Sequence, residues 1–216
     1  PEAKEMIKYA FELSEQLKQP VLMRTTTRIN HSNAYVTLGD IKPRTPKGCF
    51  KHDPMNYVTV PAVSRQLHVK VLEKMERAGE QSEFSSYNII TGSGKYGIVT
   101  NGVSYYYALD AIKDLGIEND TKILRIGFSN PMPEKLIKDF LKGCEKVLVI
   151  EEGEPFMEET VKAFAQEAGI TIEIKGKSKT LFSKLYEYDP AMVREKMAAF
   201  FNISYTPAEK IDTADI

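Results

Sequence analysis

The chain has 216 residues, 42% of them hydrophobic and 27% charged, with a formal net charge of −1. This balance predicts a soluble globular protein of one large domain or one and a half ordinary ones. It lacks the basic excess that nucleic acid or an anionic membrane surface would select. No apolar run reaches bilayer length. Cys49 and Cys144 are far apart with no C-x-x-C, which argues against a disulfide framework or zinc site and for a reducing, cytoplasmic setting.

The chain opens on Pro1 directly into an acidic, amphipathic pattern unlike a secretory leader, as though cut from something larger. Met6, Ile7, Ala10, Phe11, Leu13 and Leu17 recur at helical spacing, predicting a helix over 2–18 that Gln19-Pro20 stops. "VLMRTTTRINHS" (21–32) is rich in β-branched residues and predicts a buried strand whose far end turns polar and cationic. One helix and one strand cannot bury a core alone, so 1–32 looks like the tail of a domain. Residues 33–56 hold three prolines, two glycines and no sustained period, and read as linker. "YVTV" gives a short extended piece, and Pro61 opens a charged helix.

From about residue 85 the rhythm becomes strand, helix, strand, helix. "YGIVT" (96–100), "TKILRIG" (121–127), "EKVLVIEEG" (145–153) and "ITIEI" (170–174) are the strands. Between them lie "VSYYYALDAIKDLG", "EKLIKDFLKG" and "EPFMEETVKAFAQEAG", each with an amphipathic period. Apolar strands alternating with such helices predict an α/β domain with a doubly wound, mostly parallel sheet over 85–188. The four strands should form its centre, at 98–100, 123–126, 147–150 and 171–174. One more helix (189–201) and a linker tail follow.

The motifs are thin. "GSGKYG" (92–97) satisfies G-x-G-x-x-G but precedes a strand, where the dinucleotide fingerprint must follow one; it reads as a surface turn. "GKS" (176–178) lacks the upstream glycine of a phosphate loop. "TNGVS" (100–104) does follow a strand and open a helix, yet packing and helix entry explain one glycine well. "EEGEPFMEE" (151–159) brings five carboxylates to the end of the most apolar strand. They suit acid–base or metal chemistry, and equally the first turn of a helix, whose dipole favours negative charge. His31, His52 and His68 have no metal-ligand spacing. No complete catalytic apparatus emerges from the residues alone.

Four stretches, "EAKEMIKYAFELSEQLKQPVLMRTTTRINHS", "IVTNGVSYYYALDAI", "RIGFSNPMPEKLIKDFLKG" and "KVLVIEEGEPFMEETVKAFA", together resemble the large (alpha) subunit of indolepyruvate ferredoxin oxidoreductases. These belong to the thiamine-diphosphate-dependent 2-oxoacid:ferredoxin oxidoreductases. R-T-T-T-R-x-x-H-S at 24–32 is the specific part. The E-E-G-E-P pattern is shared more widely, with the C-terminal domain of transketolases and related dehydrogenases.

The resemblance implies that 1–32 ends a pyrimidine-binding domain, 33–84 is a linker and connecting helix, 85–188 is a transketolase C-terminal-like domain, and 189–216 is a helix and linker tail. It implies a parent enzyme that oxidatively decarboxylates arylpyruvates, with thiamine diphosphate, Mg²⁺ and 4Fe-4S clusters, a beta subunit, ferredoxin and coenzyme A as cofactors and partners. The chain has no G-D-G motif for Mg²⁺ and diphosphate and no C-x-x-C-x-x-C for clusters, so none of these groups is expected in it. No catalytic role carries over to Arg24, Thr25, Thr26, Thr27, Arg28 or His31. These six, with Glu151, Glu152 and Glu154, are the candidate domain-interface residues. Alternatives are the same domain of another thiamine enzyme, or a small-anion-binding module.

Overall fold

A computed structural model describes residues 1–41, 48, 51–178 and 180–207. Its contacts divide the chain into two compact units, Pro1–Glu80 and Gln81–Ile216.

The first unit begins with α1 (Glu2–Leu17), which buries Ala10, Leu13 and Leu17. The spacing of three and four residues puts all three on one helical face. Lys18 stops the helix in the left-handed conformation, φ 50°, and the Ser14 hydroxyl donates to the Gln19 carbonyl at 2.6 Å. The strand expected over 21–32 does not form. Residues 20–26 carry no regular structure and Thr27–Asn30 is a single helical turn, α2. Val21 is 37% and Leu22 95% exposed. The correction has a simple cause: β-propensity is expressed through pairing and half-burial, and no strand occurs among the described residues of this unit. The described part of 33–53 is irregular, as expected. A short helix, α3 (Pro54–Tyr57), takes the first residue of "YVTV" and leaves the rest unpaired. The long α4 (Pro61–Glu83) starts at Pro61 and ends within the second unit.

The second unit is a five-stranded sheet in the order β1-β3-β2-β4-β5. The strands are β1 (Ile89–Gly92), β2 (Tyr96–Thr100), β3 (Thr121–Arg125), β4 (Lys146–Ile150) and β5 (Glu173–Lys175). β2, β3, β4 and β5 pair in parallel, with Ile98 level with both Ile123 and Leu148. β1 is an antiparallel edge strand on β3 that the sequence reading overlooked. Its turn into β2 contains Gly94, where any β-carbon would collide with the backbone of Asp120 and Thr121.

Side chains of successive strand residues alternate between two cores. Ile98, Ile123, Leu148 and Ile150 pack with α5 (Ser104–Asp114) and α8 (Pro190–Phe201). Val99, Leu124, Val147 and Val149 pack with α6 (Glu134–Lys142) and α7 (Phe156–Glu167). The fold is the expected doubly wound α/β layer, which explains why its central strands are apolar throughout rather than alternating. Val147, Leu148, Val149 and Ile150 are at most 1% exposed. Each such side chain contributes about 1.5–3 kcal/mol by leaving water.

One expectation needs revising, and one expected helix has a larger place than its position in the chain suggests. The strand placed at 171–174 in the sheet's centre is three residues at its edge, with Glu173 and Lys175 exposed. Charged, short edge strands resist pairing with other chains. The helix at 189–201 is built into the core, where Val193, Met197, Phe200 and Phe201 are buried. Asp189 caps it by accepting from Met192 N at 2.8 Å.

Candidate functional site at the carboxyl end of β4

From β2 the chain crosses to β3 on one side and then returns to β4 on the other, so the topological switch point lies between the carboxyl ends of β2 and β4. That is where open α/β sheets form ligand crevices. The Thr100 hydroxyl donates to the Ile150 carbonyl across it at 2.9 Å. Next come Gly102, whose φ of +53° favours glycine, and the carboxylate run 151–159.

Each of four carboxylates in that run has a specific partner. Glu151 turns its two oxygens onto the first free amides of α7, accepting from Met157 N at 2.8 Å and Glu158 N at 2.9 Å. A carboxylate there answers both the orphan amides and the helix dipole. Glu83 does the same for α6, accepting from Lys135 N at 2.7 Å and Leu136 N at 2.9 Å. Glu158 accepts from the backbone of Lys177 at 2.6 Å and from Lys162 Nζ at 2.5 Å. Glu152 accepts from Tyr188 N at 2.9 Å. Glu154 pairs with Lys184 at 2.6 Å.

Lys177 closes the cluster. Its ammonium donates to the carbonyls of Glu151 and Ser183 and to the Tyr188 hydroxyl. That hydroxyl donates onward to the Ser183 carbonyl at 2.9 Å. Phe182 and Tyr188 stack at 4.9 Å and are buried. Gly176 is obligatory before Lys177, because a β-carbon would sit 2.6 Å from Glu158 Oε2 and 2.9 Å from the Val149 carbonyl. Carboxylates and cations together thus tie Lys177, Lys184 and Tyr188 to the β4–α7 turn.

The electrostatics follow from burial. Loss of water pushes the Glu151 carboxyl up, against the pull of the two amides and Lys177. Burial also lowers the Lys177 ammonium, against four glutamates, and raises the Tyr188 hydroxyl. Perturbed groups in a crevice often mark chemistry. Here both Glu151 oxygens accept from backbone amides and the Lys177 donors meet three acceptors within the chain. Of the two readings of the carboxylate run, the helix-start one describes Glu151.

Arg24, Thr25, Thr26, Thr27, Arg28 and His31 all belong to the first unit, and Glu151, Glu152 and Glu154 to the second. Thr25 donates its hydroxyl to Asn30 Oδ1 at 2.7 Å. Thr26 precedes α2 without a side-chain cap, and Arg24, Thr27, Arg28 and His31 are exposed. Sequence reasoning missed Lys177, Tyr188 and Ser183. Lys177 drew notice only within a rejected phosphate-loop match, and no local pattern announces a lysine that serves three distant acceptors. Among the described residues no cluster of three His, Cys, Asp or Glu could hold a metal, and no helix is long and apolar enough to cross a membrane.

Comparison with known proteins agrees with the resemblance read from the motifs. The family pattern described as "Indolepyruvate oxidoreductase domain" matches residues 89–214. The protein named indolepyruvate oxidoreductase subunit IorA of Thermococcus kodakarensis is 43% identical over 209 residues, 94% of this chain. The proteins of the same name in Pyrococcus abyssi and Methanothermobacter thermautotrophicus are 40% and 36% identical over 98% and 91% of it. The chain spans about a third of the length of these curated relatives, 32%, 33% and 32% in turn. A solved 2-oxoglutarate:ferredoxin oxidoreductase from Magnetococcus marinus is 21% identical with a TM-score of 0.46, over 67% of this chain and 24% of that one. That likeness is too loose to place one residue on another. With the family pattern covering more than half of its residues, nearly the whole second unit, this chain belongs to the indolepyruvate oxidoreductase domain family.

Proposed function

We propose that the chain is a non-catalytic section of the large subunit of a thiamine-diphosphate-dependent oxidoreductase. The whole enzyme decarboxylates arylpyruvates such as indolepyruvate oxidatively, in the cytoplasm. It passes electrons to ferredoxin and the acyl group to coenzyme A, together with a beta subunit. Within it the second unit is a scaffold whose surfaces meet other domains, with Arg24, Thr25, Thr26, Thr27, Arg28, His31, Glu151, Glu152 and Glu154 as candidate interface residues.

The observation that carries this reading is the engagement of the switch-point carboxylates. The α7 amides that would welcome a diphosphate are taken by Glu151. The oxygens of Glu152, Glu154 and Glu158 hold the chain's own amides and lysines, so this donor set does not fit a Mg²⁺ ion. Iron–sulfur clusters need thiolates. Cys144 is buried in the core, with its sulfur donating to the Phe140 carbonyl at 3.3 Å, and burial holds it as the thiol. Cys49 lies outside the described residues. These residues do not fit the cofactors, which are assigned to other parts of the enzyme. The relatives' names favour this reading over another thiamine enzyme. The small-anion alternative would use "TNGVS" (100–104) at the start of α5, a different helix start from the one Glu151 occupies at α7.

The test is calorimetric titration of Mg²⁺–thiamine diphosphate into the purified chain. No heat of binding is expected, and micromolar binding overturns the scaffold assignment.

A further inference from the structure

Of the helices packed on the sheet of the second unit, α6, α7 and α8 have their starts answered from within the chain, by Glu83, Glu151 and Asp189. α5 has no side-chain cap. Its first helical donors are the amides of Tyr106 and Tyr107, both to the Val103 carbonyl, so the Ser104 and Tyr105 amides find no acceptor among the described residues. Ser104 is 2% exposed, yet its hydroxyl makes no hydrogen bond among the described residues. A buried hydroxyl is ordinarily paired. The Cα–Cβ bond of a helical residue tilts toward the helix N-terminus, so this hydroxyl, at the first position of α5, is aimed at the open start beside the two amides. Arg125 brings positive charge to the same place. It is level with Thr100 in the parallel β2–β3 pair, and strand alternation turns it to the face of Ile123, toward α5. Its guanidinium lies over the Tyr105 ring, 5.1 Å from the centroid. Gly102 leaves the approach open, with nothing within 4 Å of where a β-carbon would stand. The glutamates at the neighbouring end of β4 are answered by the α7 amides, Lys162, Lys184 and the backbone of Lys177 and Tyr188.

We propose that the start of α5 is a binding site for one dianionic phosphate group, taken by the Ser104 and Tyr105 amides, the Ser104 hydroxyl and the Arg125 guanidinium. Unpaired helix amides and the helix dipole favour negative charge there. An arginine fork suits a pair of phosphate oxygens. The donors come from two elements, the helix start and the neighbouring strand, and so approach a ligand from more than one direction. A phosphate presents its acceptor oxygens around a tetrahedron, whereas a carboxylate presents two in one plane. The site adds a ligand to the scaffold reading and does not depend on it.

Hydrogen exchange of this chain, read by mass spectrometry during titration with inorganic phosphate, glycerol phosphate or chloride, tests the proposal. At about ten times its half-saturating concentration, phosphate should slow the peptide covering 101–107 roughly tenfold, while peptides from β4 keep their rate. Ser104→Ala should raise the half-saturating concentration about fivefold, and Arg125→Gln should raise it further, with β4 unchanged in both variants. Tighter binding of glycerol phosphate than of inorganic phosphate assigns the site to a phosphate ester, and the reverse order assigns it to the free ion; both support it. No slowing at 101–107, an equal effect of chloride, or a Ser104→Ala protein that responds like the wild type overturns it. Mg²⁺–thiamine diphosphate that displaced phosphate from 101–107 at micromolar strength would remove the scaffold reading and leave the site standing.

Discussion

The two units show what decides whether an apolar pattern becomes structure. In the second, Val147–Ile150 all pair with β2, the first two also with β5, helices cover both faces, and all four are sealed from water. In the first, Val21 and Leu22 have the same chemistry and Leu22 is 95% exposed. Local preference is similar in both places; what differs is the presence of a neighbour. Extended backbone leaves its amides and carbonyls to be paired by another strand, and among the described residues only the second unit supplies one.

The largest expected effect breaks the comparison at its stronger end. Val149→Asp places a carboxylate between β4 and α7 with nothing to pair it, and should cost on the order of 3–5 kcal/mol in urea unfolding. A variant as stable as the wild type would mean that β4 is not the sealed centre of the sheet.

A smaller effect tests the wiring at the carboxyl end. Glu151→Gln keeps the shape but turns an amide donor toward one of the two backbone N–H groups at the start of α7, for a loss of about 1–2 kcal/mol at neutral pH. The pH profile carries the sign. The folded carboxyl titrates above its unfolded value. Between the two values the folded state therefore keeps a proton that the unfolded chain has released, and stability falls as pH rises. The wild type's advantage over Glu151→Gln should be greatest below the ordinary glutamate range and shrink upward through that window. An advantage that grows with pH there would show the carboxylate to be favoured by its site.

The smallest effect lies in the first unit. Arg24 is exposed, so Arg24→Ala should change the stability of this chain by no more than about 0.5 kcal/mol. A loss of 1–3 kcal/mol would show that the arginine-threonine run is held by acidic partners within this chain, which narrows the contrast between the units.

Much of the second unit was legible because its signals are local and repeated. Short apolar runs at regular spacing, broken by amphipathic helices, admit few arrangements besides a parallel layer covered on both faces. Helix boundaries read well where the chain punctuates itself, as at Gln19-Pro20, Pro61 and Asp189-Pro190. The antiparallel β1 was harder, since Ile89, Ile90 and Thr91 make too short a run to separate from the turn that follows.

The sequence by itself determined the layered α/β class, the apolar identity of β2, β3 and β4, and the family, because periodicity and motif order are properties of the chain. Only the tertiary structure decided which carboxylate meets which group. Glu151 reaches amides six and seven residues away, Glu83 reaches amides more than fifty residues away, and Lys177 joins the carbonyls of Glu151 and Ser183 to the Tyr188 hydroxyl. A charge carries no address in sequence: its partner is set by the fold that brings them together, and by the burial that makes an unpaired charge costly. The same dependence on neighbours decided that "VLMRTTTRINHS" would stay open in this chain, since a strand is completed by what lies beside it.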